Sequence, residues 1–431
     1  MKKYAVVYVL LAILMAFALS ACTKTAEEAP AATEAAVEEA AVEGAAEVEA
    51  AVEETAVEGA AEVEAAAGEI AVEGAAEVEA VPEGKGLSIS IVTSSGIDDG
   101  SFNENCYDGA KAFVDSHPDS TLRDVKEPDL SKLIDTVATL VGDYDAFVLP
   151  GYNFAGIGDI ATANPDKYFL VVDSTVTDSE GNMLSNLPNV YTMTFQEEQG
   201  GFFAGVAAAL TTKTNKVAVV NGIAFPSNVN YQFGFMAGVN YANAKFGTKA
   251  ELVELPSFAG TAAVPVEGMG ENVGGNYVGS FADEATGKEV GKALIDAGAD
   301  VILVAAGSSG NGVFTAAKEA GNVFVIGCDV DQYDDGVNGD KNIILTSALK
   351  IMDVNVTRQL EAIYDGKFVG MDATLGVDTD SVGYVSEAGR QQLSDETLEK
   401  LAEVYPLLKD GTIVPPSNFN GMLPDKFTGL E

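Results

Sequence analysis

The sequence predicts an α/β protein of two doubly wound parallel-sheet lobes with a ligand cleft between them. Three observations carry this. From Leu87 onward, apolar strand candidates alternate with helical candidates, the pattern of parallel sheets covered by helices. That stretch runs to about 345 residues, more than one hydrophobic core comfortably serves. Several strand candidates also end in polar residues: at Thr93, at Asp173-Ser174-Thr175, at Ala306-Gly307-Ser308, at Asp329-Val330-Asp331 and at Lys350. In open α/β sheets, ligands bind beyond the carboxyl ends of strands. Lobes facing each other at those ends would gather these loops at one cleft.

The chain opens with Lys2 and Lys3, an apolar run over 4–19, then Ser20-Ala21-Cys22. A charged start, an apolar core and small residues form a secretory signal. The run is short for a spanning helix. Leu19-Ser20-Ala21-Cys22 resembles the bacterial lipobox, which implies a lipid on Cys22 and a chain held at the membrane, facing outside the cytoplasm. Several acyl chains on one cysteine anchor firmly where a single chain does not. An ordinary export signal or an N-terminal anchor is the plain alternative.

Residues 23–85 hold 18 acidic and 2 basic side chains and carry a repeat. Ala41-Val42-Glu43-Gly44-Ala45-Ala46-Glu47-Val48-Glu49-Ala50 returns from Ala56 and from Ala71, a period of 15 residues. These units contain no aromatic side chain and cannot bury a core. Ala and Glu favour helix, whereas the recurrent Gly and the like charges oppose it. The expected product is a self-repelling tether, spanning on the order of 45 Å as coil or about 95 Å as helix. The formal charge of the whole chain is −42, which excludes nucleic acid and anionic headgroups as natural partners.

In the domain that follows, strand candidates lie at 87–93, 145–150, 168–173, 190–195, 216–222, 251–255, 300–306, 323–329 and 343–349. Helical candidates lie at 130–141, 199–210, 231–244, 288–297, 312–320 and 352–364. A break between lobes is expected at Phe195-Gln196-Glu197, where a helix of small residues begins, and a second crossing at the polar loop 332–338. The organisation is therefore a signal at 1–21, a lipidated cysteine and tether at 22–85, and a two-lobe binding domain at 86–431. Lobe 1 takes about 87–195, lobe 2 about 196–330, and each is completed by part of 331–431.

The first strand runs into Ser94-Ser95-Gly96-Ile97-Asp98-Asp99-Gly100-Ser101-Phe102-Asn103, and a helix follows with Ala110, Phe113 and Val114 on its apolar face. Carboxylates next to an aromatic in this loop point to a site, with a capped turn and a core Phe102 as the structural alternative. Cys106 and Cys328 read as small buried residues rather than a disulfide. The single histidine, His117, stands beside Pro118 at a helix end. Histidine-based triads and common zinc sites are thus excluded, and no Gly-Lys-Ser/Thr phosphate loop is present. Neither catalysis nor a cofactor is expected.

Several blocks, in order, resemble the basic-membrane-protein or PnrA-like lipoproteins. They include Asp98-Asp99-Gly100-Ser101-Phe102-Asn103, Thr194-Phe195-Gln196-Glu197-Glu198-Gln199-Gly200, Gly279-Ser280-Phe281-Ala282-Asp283, Ile326-Gly327-Cys328-Asp329 and Ser347-Ala348-Leu349-Lys350. The resemblance covers nearly all of 87–384. It implies a type I periplasmic-binding-protein fold and the nucleoside-binding component of an ATP-driven importer, whose partners are permease subunits and a separate ATPase. By the same resemblance, Phe102 and Phe281 would sandwich the base, and Asn103 would meet its edge. Asp329 and Lys350 would take the ribose hydroxyls, Asp173 would face base or sugar, and Gly307 would let backbone approach the ligand. Asp99 belongs to the same candidate set. Asp331 and Gln332 resemble hinge or cap residues. Two departures stand out. Thr93 occupies a position where the family often has an aspartate that holds the base, which implies a changed base preference. The stretch 257–277 is longer than usual and could reshape the rim of the cleft. Rival readings are a binding protein for another small polar ligand, such as a sugar or signal, a surface-interaction lipoprotein, and an enzyme acting on nucleosides.

Overall fold

A computed structural model describes residues 85–427. The signal segment, Cys22 and the repeats lie outside the described residues. In chain order the first run is β1 (Ser88–Thr93), α1 (Phe102–Ser116), β2 (Thr121–Lys126), α2 (Leu133–Leu140), β3 (Ala146–Pro150), α3 (Gly158–Ala163), β4 (Tyr168–Val172) and β5 (Val190–Phe195). The second run is α4 (Glu197–Thr211), β6 (Lys216–Asn221), α5 (Pro226–Phe246), β7 (Glu251–Leu252), the strands β8 (Gly260–Val266) and β9 (Gly270–Gly274), α6 (Glu284–Asp296), β10 (Val301–Ala305), α7 (Ser308–Ala320), β11 (Phe324–Asp329) and β12 (Ile344–Lys350). The chain closes with α8 (Met352–Tyr364), β13 (Met371–Leu375), β14 (Val382–Tyr384) and α9 (Asp395–Lys409).

Two six-stranded sheets result. One has the order β13-β5-β4-β3-β1-β2 and is parallel throughout. The other has the order β14-β12-β11-β10-β6-β7 and is parallel except at its edge strand β14. Their central strands are buried on both faces, which is why they read as unbroken apolar runs. In β3, Ala146 and Val148 face a core shared with the helices between the sheets, whereas Phe147 and Leu149 face a private outer core with Leu133, Val137 and Phe169. This is the two-residue period of a strand. The second sheet has its own outer core around Val290, Leu294, Val304 and Val313.

The small residues that open α4 are explained by its neighbour. A Cβ at Gly201 or Gly205 would run into the carbonyl oxygens of Tyr231 and Phe235 on α5. The two helices therefore touch backbone to backbone.

The second crossing is not where the polar loop suggests. Residues 332–338 join β11 to β12, which are neighbours in the same sheet. Their polar side chains serve the turn instead. Gln332 accepts from the Cys328 amide at 3.0 Å and donates to the Gly100 carbonyl at 3.2 Å. Asp331 pairs with Arg390 at 2.6 Å. The chain leaves the second sheet after Lys350, enters the first at β13, and returns at β14. Cys106 and Cys328 are buried and free. His117 ends α1 and stacks on Phe113 with ring centroids 4.4 Å apart.

Candidate ligand-binding site

A cavity of about 670 Å³, counting space open to solvent, lies where the carboxyl ends of the two sheets meet. Its walls come from segments that follow strands. The first sheet supplies Asp99, Phe102 and Asn103 after β1, Tyr152 after β3 and Asp173 after β4. The second supplies Phe225, Asn228 and Tyr231 after β6, Phe281, Gly307 after β10, Asp329 at the end of β11 and Lys350 at the end of β12. Of the residues singled out from the sequence, only Thr93 and the undescribed Cys22 are missing from this lining. Thr93 is buried behind the wall, where its hydroxyl accepts from the Gly96 amide at 3.1 Å.

Lys350 is the centre of the charge arrangement. It is 2 % exposed, and its ammonium lies 2.5 Å from Asp173 Oδ2 and 3.2 Å from Glu197 Oε1. The same ammonium stands 4.9 Å from the centroid of Phe102 and 5.4 Å from that of Phe195. Burial opposes its charge, but the carboxylates of Asp173, Glu197 and Asp329 outweigh this and hold its pKa above the ordinary lysine value. Burial raises Asp173, with Lys350 pulling the other way. Burial also pushes Glu197 up to about 8, again against Lys350. Asp173 Oδ1 is buried with no hydrogen-bond partner among the described residues. Such an orphaned acceptor costs about 1–3 kcal/mol until a donor arrives.

Asp329 is not a direct partner of Lys350. Its Oδ2 accepts from the Ser101 hydroxyl at 2.9 Å and its Oδ1 from the Tyr231 hydroxyl at 3.2 Å. Asp173 and Asp329 end equivalent strands of the two sheets, and both adopt left-handed backbone, with φ of 62° and 69°. Aspartate tolerates that region better than most residues. The turn it makes aims each carboxylate off the strand end.

Asp99 is engaged by its own helix. Its carboxylate accepts from the amides of Ser101 at 3.1 Å, Asn103 at 3.0 Å and Glu104 at 3.1 Å, satisfying the start of α1. Burial raises its pKa against those amides. Asn103 lines the cavity and donates to the Ser95 hydroxyl at 2.7 Å. Gly307 has φ of 53° and backs onto Phe281, whose ring also lies flat against the bare backbone of Gly222.

Further lining residues, Tyr152, Phe225, Asn228 and Tyr231 among them, and one ion partner were not anticipated. Tyr152 and Phe225 face each other across the two sheets with ring centroids 5.4 Å apart, and Phe225 lies 5.9 Å from Phe281. Tyr231 holds Asp329, and Asn228 donates to the Ala305 carbonyl at 2.9 Å. Glu197 completes the Lys350 cluster and accepts from Asn230 at 3.1 Å. The available chemistry is flat aromatic walls, several carboxylate acceptors and one buried ammonium. The acidic excess repels phosphate, and no group of His, Cys, Asp and Glu among the described residues is arranged to hold a metal.

Comparison with known proteins adds the following. The family model described as ABC transporter substrate-binding protein PnrA-like matches residues 87–257 and 267–417. A CD4+ T-cell-stimulating antigen of Listeria monocytogenes is 30% identical over 353 residues, 77% of this chain and 88% of that protein. The ABC transporter nucleoside-binding protein BmpA of Lactococcus lactis subsp. cremoris is 28% identical over 360 residues, 77% of this chain and 89% of that protein. Among solved structures, an ABC transporter solute-binding protein from Aeropyrum pernix K1 superposes with a TM-score of 0.63 at 22% identity, covering 77% of this chain and 94% of that one.

Proposed function

The chain belongs to the PnrA-like family of ABC transporter substrate-binding proteins, and from that premise we propose that it captures a nucleoside, with purine as the expected base, for delivery to a membrane permease powered by a separate ATPase. The family is a binding component and not an enzyme. The observation that carries the ligand class is the pairing of flat and acidic surfaces. Phe102 and Phe281 come from opposite sheets onto one cavity, which also holds Asp173 and Asp329. Stacking on an aromatic contributes about 1–3 kcal/mol per base and needs a flat ligand. The free oxygen of Asp173 accepts a hydroxyl, and the acidic lining favours a neutral nucleoside over its phosphorylated form. The nucleoside-binding relative supports the same assignment.

The proposed site residues are Phe102, Phe281, Asn103, Asp173, Asp329, Lys350 and Gly307, with Asp99 shaping the loop that presents Phe102 and Asn103. The proposed setting is extracytoplasmic. The Leu19-Ser20-Ala21-Cys22 motif supports a lipid anchor on Cys22. Among the described residues no helix is long and apolar enough to cross a bilayer.

The test is thermal unfolding of the full-length protein, stripped of bound ligand by unfolding and refolding, against nucleosides, free bases and sugars. A ligand that binds only the folded state stabilises it by about 2.7 kcal/mol at a hundredfold excess over Kd. A shift with nucleosides that is lost in Phe102→Ala supports the reading. A shift with sugars alone keeps the fold and removes the nucleoside. No shift with any compound turns the assignment towards a surface-interaction role.

A further inference from the structure

The rim of the cavity is built from three aromatic rings. Tyr152, Phe225 and Phe281 are partly exposed, whereas Asp173, Asp329 and Lys350 are buried. The three rings therefore stand between the charged floor and solvent. Tyr152 belongs to the first sheet's side and Phe225 to the second, so their contact at 5.4 Å joins the two halves.

Phe225 is positioned from behind. The segment 258–266 falls between the two stretches matched by the family model, and it contains the whole of β8. The Ala263 amide donates to the carbonyl of Ala224, the residue next to Phe225, at 2.9 Å. Ala224 is buried in a small cluster with Ala262, Val266, Val273, Tyr277 and Phe233. Gln232 of α5 fixes this hairpin at two points, donating to the Val273 carbonyl at 2.7 Å and accepting from the Tyr277 hydroxyl at 2.6 Å. The longer stretch foreseen at 257–277 is thus a hairpin whose strand grips the loop that carries Phe225.

We propose that Tyr152 and Phe225 form an aromatic latch that closes the rim over a bound nucleoside, and that the β8–β9 hairpin sets its strength by positioning Phe225. This rests on the nucleoside reading above. The contact exists only when the two halves are together, so its loss acts on ligand escape and leaves capture alone. An aromatic pair of this kind corresponds to roughly a 2- to 12-fold change in rate.

The experiment loads the full-length protein with labelled inosine or adenosine and chases with unlabelled nucleoside. Circular dichroism confirms folding of each variant. Tyr152→Ala and Phe225→Ala each speed dissociation by roughly 2- to 12-fold with association unchanged. The double variant dissociates no faster than the faster single one, and Tyr152→Phe, which keeps the ring, restores slow release relative to Tyr152→Ala. Val273→Ala, which loosens the hairpin, speeds release in the parent protein but not in the Phe225→Ala background. Single effects that multiply in the double variant, or that fall on association, would show two independent wall residues and overturn the latch. If the unaltered protein binds inosine or adenosine and all variants release it at the parent rate, the latch fails and the nucleoside reading stands. If the unaltered protein binds neither, both fall together.

Discussion

Replacing Lys350 with methionine tests the charge arrangement directly. The ammonium lies 2.5 Å from Asp173 and 3.2 Å from Glu197, and it is 2 % exposed. At an effective dielectric of about 20, a unit pair at 2.5 Å attracts by roughly 7 kcal/mol. Against this, each buried ion loses several kcal/mol of hydration. The net value of the pair is therefore small, but removing one partner leaves the other charge buried alone, which costs about 3–5 kcal/mol. With an unfolding entropy of about 2.1 cal/mol/K per residue, a domain of this size has roughly 0.7 kcal/mol/K in total. Lys350→Met should then lower Tm by roughly 4–7 °C near pH 7.5, followed by circular dichroism. The deficit should shrink on acidification. Burial already raises Asp173, and without the ammonium its folded pKa rises further above the unfolded value, so the variant gains stability as pH falls. Lys350→Met combined with Asp173→Asn should recover most of the loss, since the nearer carboxylate is gone and burial favours the protonated form of Glu197. A single variant as stable as the parent, or a double variant no better than the single, would refute the claim that this pair is a compensated buried charge.

Three further outcomes follow from the geometry. Phe102→Ala and Phe281→Ala should each weaken inosine binding by about 1–3 kcal/mol in titration calorimetry, with little change in Tm for Phe102, whose ring is partly exposed. Glu197 has a folded pKa of about 8, above its unfolded value, so its stabilising contribution is complete in acid and is lost as pH rises through about 8. Glu197→Gln should flatten the fall of urea midpoints between pH 5 and 8, a slope of at most about 1.4 kcal/mol per pH unit; an unchanged slope would remove this assignment. Gly205→Ala forces a methyl group onto the Phe235 carbonyl and should cost about 1–3 kcal/mol in urea unfolding, without changing which nucleoside is preferred.

Much of the fold was legible because the inner strands of parallel sheets are apolar on both faces. Ala146–Pro150 and Val301–Ala305 are wholly buried and read as strands from composition alone. Apart from β7, the edges were not legible, for the opposite reason. β2, Thr-Leu-Arg-Asp-Val-Lys, is exposed or half-exposed along its length, and nothing in it signals a strand. β13 starts with the exposed Met371 and carries a single charged residue, Asp372, that serves the neighbouring loop. The misplaced crossing has a similar origin. A polar turn within one sheet and a polar passage between sheets look alike, whereas the real passage at Lys350-Ile351-Met352 runs from strand to helix with no loop at all. At the site, strand-terminal aspartates were visible, but Glu197 was not. Two acids at the start of a helix ordinarily serve the helix dipole, and only the packing shows Glu197 turned inward to Lys350. Tyr152 after a glycine and Phe225 before a proline read as turn residues, and their meeting across the sheets has no local signature.

The three passages of the chain between the sheets converge on this ion cluster. The first is Phe195–Glu197, and it delivers Glu197 itself. The second begins immediately after Lys350. The third lies between β13 and β14, and it is laced to the other two: the Gln196 amide donates to the Leu375 carbonyl at 2.8 Å, and the Ile351 amide to the Ser381 carbonyl at 2.9 Å. The Gln199 side-chain oxygen also accepts from the Val377 amide at 2.8 Å. Any change in the angle between the sheets must therefore act at residues adjacent to Glu197 and Lys350. Asp173, by contrast, ends a strand of the first sheet and reaches Lys350 across the cavity. A ligand hydroxyl that binds the free oxygen of Asp173 fixes the far end of a bridge whose near end is the set of passages itself. On the binding role proposed above, occupancy and the relative setting of the sheets would be coupled through one ammonium.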